Sequence, residues 1–230
     1  IALLETLPNA LGQSLSRSMD RRAAGITFVS HDLQTRFNRV LGRAPKGVQT
    51  VIPMGITRPP MDPAFLERIN QVAGDRPIVA TLGRMVVIKG LDTLLEALVD
   101  RPDVLWVAAG SGPERSRLIE TAGQRGVSLY APGQIGPAER EALLSAATVF
   151  VQHSRAVGKR QEGCPVALSE ALAAGTPSII TSTGGMTSIG QRSGCYMVPS
   201  DDSRALRTGL DMLLDKPEKR AKMAAEHRAF

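Results

Sequence analysis

Hydrophobic positions along this chain follow two alternating periods. Short, nearly uninterrupted apolar runs fall at residues 25–30, 48–52, 78–82, 104–109, 127–130, 148–151, 178–181 and 195–198, and are predicted strands. Between them, apolar residues recur every three or four positions, which predicts helices over 8–22, 32–41, 63–73, 90–99, 113–124, 137–146, 165–174, 202–214 and 217–228. Ser30 or His31 is placed near the cap of the 32–41 helix, with Gly42 after it. Strands that are apolar throughout, rather than at every second position, are buried on both sides. The predicted fold class is therefore α/β, a parallel sheet covered by helices on both faces. Such sheets bind ligands beyond the carboxyl ends of their strands. The Pro-rich stretch Pro53-Met54-Gly55-Ile56-Thr57-Arg58-Pro59-Pro60 reads as a linker between two units.

Composition narrows the function classes. Only 3% of residues are aromatic, so Ala, Leu, Val and Ile must fill the core. The net charge of +6 suits an anionic partner or a solvated basic surface. Basic clusters at Arg17, Arg21, Arg22 and at Lys216, Lys219, Arg220, Lys222 have no aromatic residues among them, which argues against nucleic acid. A peripheral membrane contact through the basic 13–22 helix stays open. Cys164 and Cys195, with His31, His153 and His227, form neither a disulfide framework nor a metal-ligand pattern, and a reducing, cytoplasmic setting is expected. No apolar run is long enough to span a bilayer. The chain opens without Met and ends in a helical pattern, so it reads as cut at both ends.

The stretch richest in chemistry is Glu162-Gly163-Cys164-Pro165-Val166-Ala167-Leu168-Ser169-Glu170, which places two carboxylates with seven residues between them. Gly163 permits unusual backbone angles. Pro165 suits the first turn of a helix that Gly175-Thr176-Pro177 stops. The amides of Gly163, Cys164 and Val166 then lie at or near a helix N-terminus, where anions bind. Glu162 stands at that mouth and Glu170 further in. The competing reading is a surface helix with two solvated glutamates.

Other candidate motifs also follow strands. Gly83-Arg84-Met85-Val86-Val87-Ile88-Lys89-Gly90 puts two cations on one strand-to-helix loop, as a pyrophosphate requires, or is a solvated loop. Gly110-Ser111-Gly112-Pro113-Glu114-Arg115 suggests a dinucleotide fingerprint, but its third glycine is replaced by Arg115, and a tight turn fits better. Gly133-Gln134-Ile135-Gly136 either offers backbone to a flat nucleobase or is a plain turn. His153 and Ser154 end the strand before the Glu162 loop. A lone histidine there is a structural residue or a general acid or base. Cys164 has no visible partner for catalysis. Gly184-Gly185 reads as a flexible turn suited to close approach by a ligand.

Taken together these motifs resemble the retaining glycosyltransferases of family four, which have the GT-B fold. The resemblance runs from about residue 24 to the C-terminus and rests on Gly83-Arg84…Lys89-Gly90, Gly110-Ser111-Gly112-Pro113, Gly133-Gln134-Ile135, Glu162-Gly163…Pro165…Glu170-Ala171 and Gly184-Gly185, in that order. It implies two Rossmann-like domains, with residues 1–52 the end of an acceptor-side domain and 53–230 most of the nucleotide-sugar donor domain. It implies that Arg84 and Lys89 bind the donor diphosphate, that Glu162 contacts the sugar at the reacting face, and that Glu170 holds the ribose. Gly83, Ile135, Ser154, Gly163, Cys164, Pro165 and Val166 complete the expected donor site. The expected reaction transfers a hexose with retention, from a nucleoside diphosphate sugar to a hydroxyl of a sugar, lipid-linked glycan or small molecule. No further cofactor and no metal are expected, since two cations serve the diphosphate. The alternative is a nucleotide-sugar-binding module inactive by itself. The sequence departs from the family at Met54, where Asn is usual, and at Ser188, where an acidic residue is usual. The histidine expected in the acceptor domain is not found, and Ser154 to Gln161 is longer than the shortest family loops.

Overall fold

A computed structural model describes residue 7 and residues 9–158, 160–162 and 165–229. The chain begins with α1 (Asn9–Arg22), β1 (Gly25–Phe28), α2 (His31–Leu41) and β2 (Val48–Val51). There follow α3 (Pro63–Ala73), β3 (Ile78–Leu82), a 3-10 turn (Val87–Lys89), α4 (Leu91–Leu98), β4 (Leu105–Ala109), α5 (Arg115–Gln124), β5 (Leu129–Gly133) and α6 (Pro137–Ala146). The last part holds β6 (Val149–Gln152), α7 (Val166–Ala174), β7 (Ser178–Thr181), α8 (Gly185–Ser193), β8 (Tyr196–Val198), α9 (Ser203–Asp215) and α10 (Pro217–Ala229).

Strands β3 to β8 form one parallel sheet in the order β5-β4-β3-β6-β7-β8. The order runs outward from β3 in one direction and from β6 in the other. Between β3 and β6 the helical connections change sides, and a crevice opens beyond the strand ends. Strands β3, β4, β6 and β7 are buried at every residue, as their continuous apolar runs require. On one face Phe65, Ile69, Leu143, Leu144, Leu168 and Leu172 pack from α3, α6 and α7. On the other, Leu94, Leu98, Leu118, Leu206 and Leu210 pack from α4, α5 and α9. Trp106 lies fully buried on β4, and its Nε1 donates to Oγ1 of Thr81 on β3 at 3.0 Å. That bond satisfies the one polar atom of the largest core side chain.

Strands β1 and β2 form a separate two-stranded parallel sheet with its own cluster of Phe28, Phe37 and Leu41. Ser30 caps α2, accepting from the Leu33 amide at 3.2 Å, and Gly42 ends the helix in the left-handed region. The predicted amphipathic helix α1 forms, but it buries Gly12, Ser16 and Asp20 and leaves Leu11, Leu15 and Met19 exposed. The small residues let α1 approach α2 closely. Asp20 accepts from the amides of Lys46 and Gly47 and pairs with Arg43 at 2.7 Å. Burial alone raises its pKa, and these donors outweigh it, so the carboxyl titrates below its ordinary value.

The Gly184-Gly185 segment is not a flexible turn. Gly184 is the N-cap and Gly185 the first residue of α8, a helix absent from the hydrophobic pattern. Its sequence, Gly185-Met186-Thr187-Ser188-Ile189-Gly190-Gln191-Arg192-Ser193, is poor in helix formers. Packing against Ile180 and Met197 decides it instead: a Cβ on Gly190 would overlap both side chains.

Candidate functional site

The loop after β3 turns sharply because its neighbours are also glycines. Gly83 takes φ 130°, and its amide donates to the Ala109 carbonyl at 3.0 Å. A Cβ on Gly110 would overlap the Gly83 carbonyl, and one on Gly112 would overlap that of Met85. The Gly110-Ser111-Gly112 segment therefore serves close backbone packing, the tight-turn role, and holds the Arg84 loop in place. Gly110 in turn donates to the Gly133 carbonyl at 2.7 Å, so three successive strand ends are tied together. Arg84 is exposed on this loop. Lys89 closes the 3-10 turn, and its Cε and Nζ lie over the Cα of Gly83, where a Cβ would stand 3.8 Å and 3.9 Å from them.

The loop after β6 crosses the switch point to meet it. Nζ of Lys89 stands 2.6 Å from Oε1 of Glu162, with each side chain 17% exposed. The backbone of Glu162 is fixed from its other side: its carbonyl accepts from the Gly185 amide at 3.0 Å. Gly184 packs against that carbonyl so closely that a Cβ would overlap it. The close approach expected of this glycine pair is thus made by the Glu162 backbone. Arg155 anchors the start of the same loop. Its amide donates to the Ile88 carbonyl at 2.9 Å, and its guanidinium pairs with Asp92 and with Asp201.

Ser154 follows the end of β6. It is fully buried, its Oγ accepts from Nε2 of Gln152 at 2.8 Å, and its carbonyl accepts from the hydroxyls of Thr181 and Thr183. His153 beside it is buried, and neither ring nitrogen has a hydrogen-bond partner among the described residues. Burial pulls its pKa down, and Asp201 only partly offsets this, so the ring is held neutral.

Pro165 stands at the N-cap of α7, one position earlier than the expected first turn, and supplies no side-chain cap. Gly175 ends α7 in the left-handed region, as predicted. Gly163 and Cys164 lie outside the described residues. Glu170, in the second turn of α7, faces α6, where Arg140 donates to its Oε1 from Nε at 3.1 Å and from Nη2 at 2.9 Å. Ile135 is half-buried against the core below β5. The structure thus brings Lys89 to Glu162 at the switch point and sets Glu170 beside α6. Arg140 was missed because nothing in the sequence marks it. Its role depends on α6 and α7 lying side by side.

Two other features carry no assigned role. A cavity of about 330 Å³ between α4, α5 and the loop after β8 is lined by Asp92, Glu96, Glu114 and Asp201. All four already pair with Arg155, Arg125 or Arg117. Cys195 lies 3.7 Å from Nε2 of His227, but burial pushes its thiol up to about 11, so this pair holds no thiolate. Among the described residues no group of His, Cys, Asp and Glu is arranged to hold a metal ion, and no helix is long and apolar enough to cross a membrane.

Residues 64–230 match the family model of the glycosyl transferases group 1. The chain is 30% identical over 226 residues to the GDP-mannose-dependent alpha-(1-6)-phosphatidylinositol monomannoside mannosyltransferase of Mycolicibacterium smegmatis, covering 92% of this chain and 58% of that protein. It is 32% identical to a putative teichuronic acid biosynthesis glycosyltransferase of Bacillus subtilis, covering 74% of this chain and 42% of that one. The chain spans about half the length of the curated relatives it matches. Among solved structures, Anabaena HepE in complex with UDP superposes with a TM-score of 0.84 at 19% identity, covering 98% of this chain and 63% of that one. Sucrose-phosphate synthase from Thermosynechococcus elongatus superposes with a TM-score of 0.77 at 26% identity, covering 96% and 56%. The sheet order, the crevice at its switch point and the family model agree: the chain belongs to the group 1 glycosyl transferases.

Proposed function

We propose that this chain carries the donor site of a retaining hexosyltransferase, which moves a sugar from a nucleoside diphosphate sugar to an acceptor hydroxyl. Residues 53–230 form the donor domain in this reading, and residues 1–52 belong to the acceptor-side domain. The observation that carries it is the pairing of Lys89 with Glu162 across the switch point, with Arg84 exposed on the Lys89 loop. A donor diphosphate entering there meets Arg84 and Lys89, and a sugar beyond it meets Glu162. The two cations and the Val166 amide at the start of α7, together with the donor contacts the family resemblance implies for Gly163 and Cys164, stabilise charge developing on the leaving diphosphate. Glu162, released from Lys89 by the incoming phosphates, orients the sugar hydroxyls and stabilises positive charge at the anomeric carbon. Glu170 takes the ribose hydroxyls. The Gly133 to Ile135 segment faces the base, and Gly83, Ser154 and Pro165 shape the crevice. No side chain is assigned as a nucleophile, and no metal is assigned a role.

The mannosyltransferase relatives favour GDP-mannose as donor. Titration calorimetry with GDP, UDP and their sugar conjugates tests the site. Binding of one of them, weakened about 100-fold in Arg84→Ala and in Lys89→Ala, is expected, since each removes a charge-assisted contact. Glu162→Gln, made in the full-length enzyme, should bind donor and abolish transfer; near-wild-type turnover would sink the role given to Glu162. The second reading is a donor-binding module inactive by itself. Turnover by this chain alone would exclude it.

A further inference from the structure

Helix α6 carries two adjacent charged residues that hold different parts of the molecule. Arg140 donates from both Nε and Nη2 to Oε1 of Glu170. Glu141, with its side chain 7% exposed, accepts from Nε of Arg58 at 3.0 Å. Arg58 belongs to the Pro-rich segment before α3. The end of that segment is tied to α6 again, since the Asp62 amide donates to the Ala138 carbonyl at 3.1 Å. Arg58, Arg140, Glu141 and Glu170 line one small void of about 40 Å³. The start of α6 is thus clamped on one side by the linker, and it presents Arg140 to α7 on the other.

The Arg140–Glu170 contact is poorly explained as a stabilising bond. Arg140 is 32% exposed and Glu170 17%, and an ion pair so open to water adds little to stability. Its geometry does something else. Both guanidinium donors converge on a single oxygen, so Oε1 is occupied and Oε2 is left as acceptor for another group. A glutamate side chain otherwise samples several rotamers, and fixing it beforehand removes that cost from ligand binding.

We propose that Arg140 is a positioning residue that aims Oε2 of Glu170 at the ribose hydroxyls of the nucleotide donor, with the Arg58–Glu141 clamp holding α6 in register. This rests on the donor-site reading above. The test is calorimetry of the chain and of its Arg140→Gln and Arg140→Lys variants, with GDP and UDP and with the 2′-deoxy form of each. The unsubstituted chain should prefer the ribonucleotide over the deoxynucleotide about tenfold, the worth of one hydrogen bond to a charged acceptor. Arg140→Gln should abolish that preference while deoxynucleotide affinity stays within about twofold, and Arg140→Lys should keep part of it. Undiminished ribose preference in Arg140→Gln overturns the proposal. So does an equal loss for both nucleotide forms, which marks a merely structural role. Failure of the unsubstituted chain to bind either diphosphate refutes the donor-site reading itself, and is seen before any substitution is made.

Discussion

Replacing Gly184 by alanine should displace Glu162 and leave the fold standing. Gly184 adopts φ 53° and ψ −139°, a region that a residue with a Cβ rarely enters. Alanine there costs about 1–3 kcal/mol in backbone strain. Its Cβ would also overlap the Glu162 carbonyl and touch Cγ and Oε1 of Gln161 at 3.4 Å. Gln161 can swing away, but the carbonyl must retreat, which breaks the 3.0 Å bond from the Gly185 amide. That loss adds about 1 kcal/mol. The sum, about 2–4 kcal/mol, is smaller than the stability of an ordinary domain. The loop therefore yields before the sheet does. A shift of about 1 Å in a positioned catalytic group lowers turnover on the order of 100-fold. Gly158→Ala is the control. It lies in the loop that carries Glu162 with φ 58°, and a Cβ there meets nothing within 4 Å, so it adds a positive-φ cost without the clash. Thermal melting with initial rates in the full-length enzyme separates the two. Equal turnover in Gly184→Ala and Gly158→Ala would refute the claim that Gly184 exists to seat the Glu162 backbone.

Burial lowers the pKa of His153 and of His227, so on acidification the unfolded chain takes up protons first. Stability should be full above the ordinary histidine value of about 6.5 and fall as pH drops below it. The slope is at most about 1.4 kcal/mol per pH unit for each ring, levelling off below the folded values. Melting temperatures at pH 7.5 and 5.5 check this, with His227→Gln flattening the slope; a pH-independent melting point would contradict it. Cys195, its thiol pushed up to about 11, should resist iodoacetamide at pH 8 in the folded chain and react in urea, as read by peptide mass mapping. Rapid labelling without denaturant would show that its pocket opens. Thr81→Val should cost about 1–3 kcal/mol in urea unfolding, because it leaves Nε1 of the fully buried Trp106 without its acceptor. An unchanged midpoint would mean that another acceptor takes its place.

Hydrophobic spacing by itself determined much of this protein. The apolar runs of β3, β4, β6 and β7 could be satisfied only between two layers of helices, so they dictated a parallel sheet and placed the loops bearing Arg84, Lys89 and Glu162 beyond its strand ends. Ser30, Gly42 and Gly175 marked helix boundaries because capping is local chemistry, readable within one turn. Other features were decided only by distant segments coming together. Helix α8 forms from a glycine-rich stretch because Gly190 must fit against Ile180 and Met197. The exposed apolar stripe of α1 follows from α2 demanding small residues at Gly12 and Ser16. The partners of the two key carboxylates were equally hidden. Lys89 reaches Glu162 because the sheet order reverses between β3 and β6, and Arg140 reaches Glu170 because α6 and α7 lie side by side on one face. A sequence fixes which residues carry charge and how each segment folds locally. Which charges meet depends on how strands far apart in the chain are ordered, and here that order was set by packing in three dimensions.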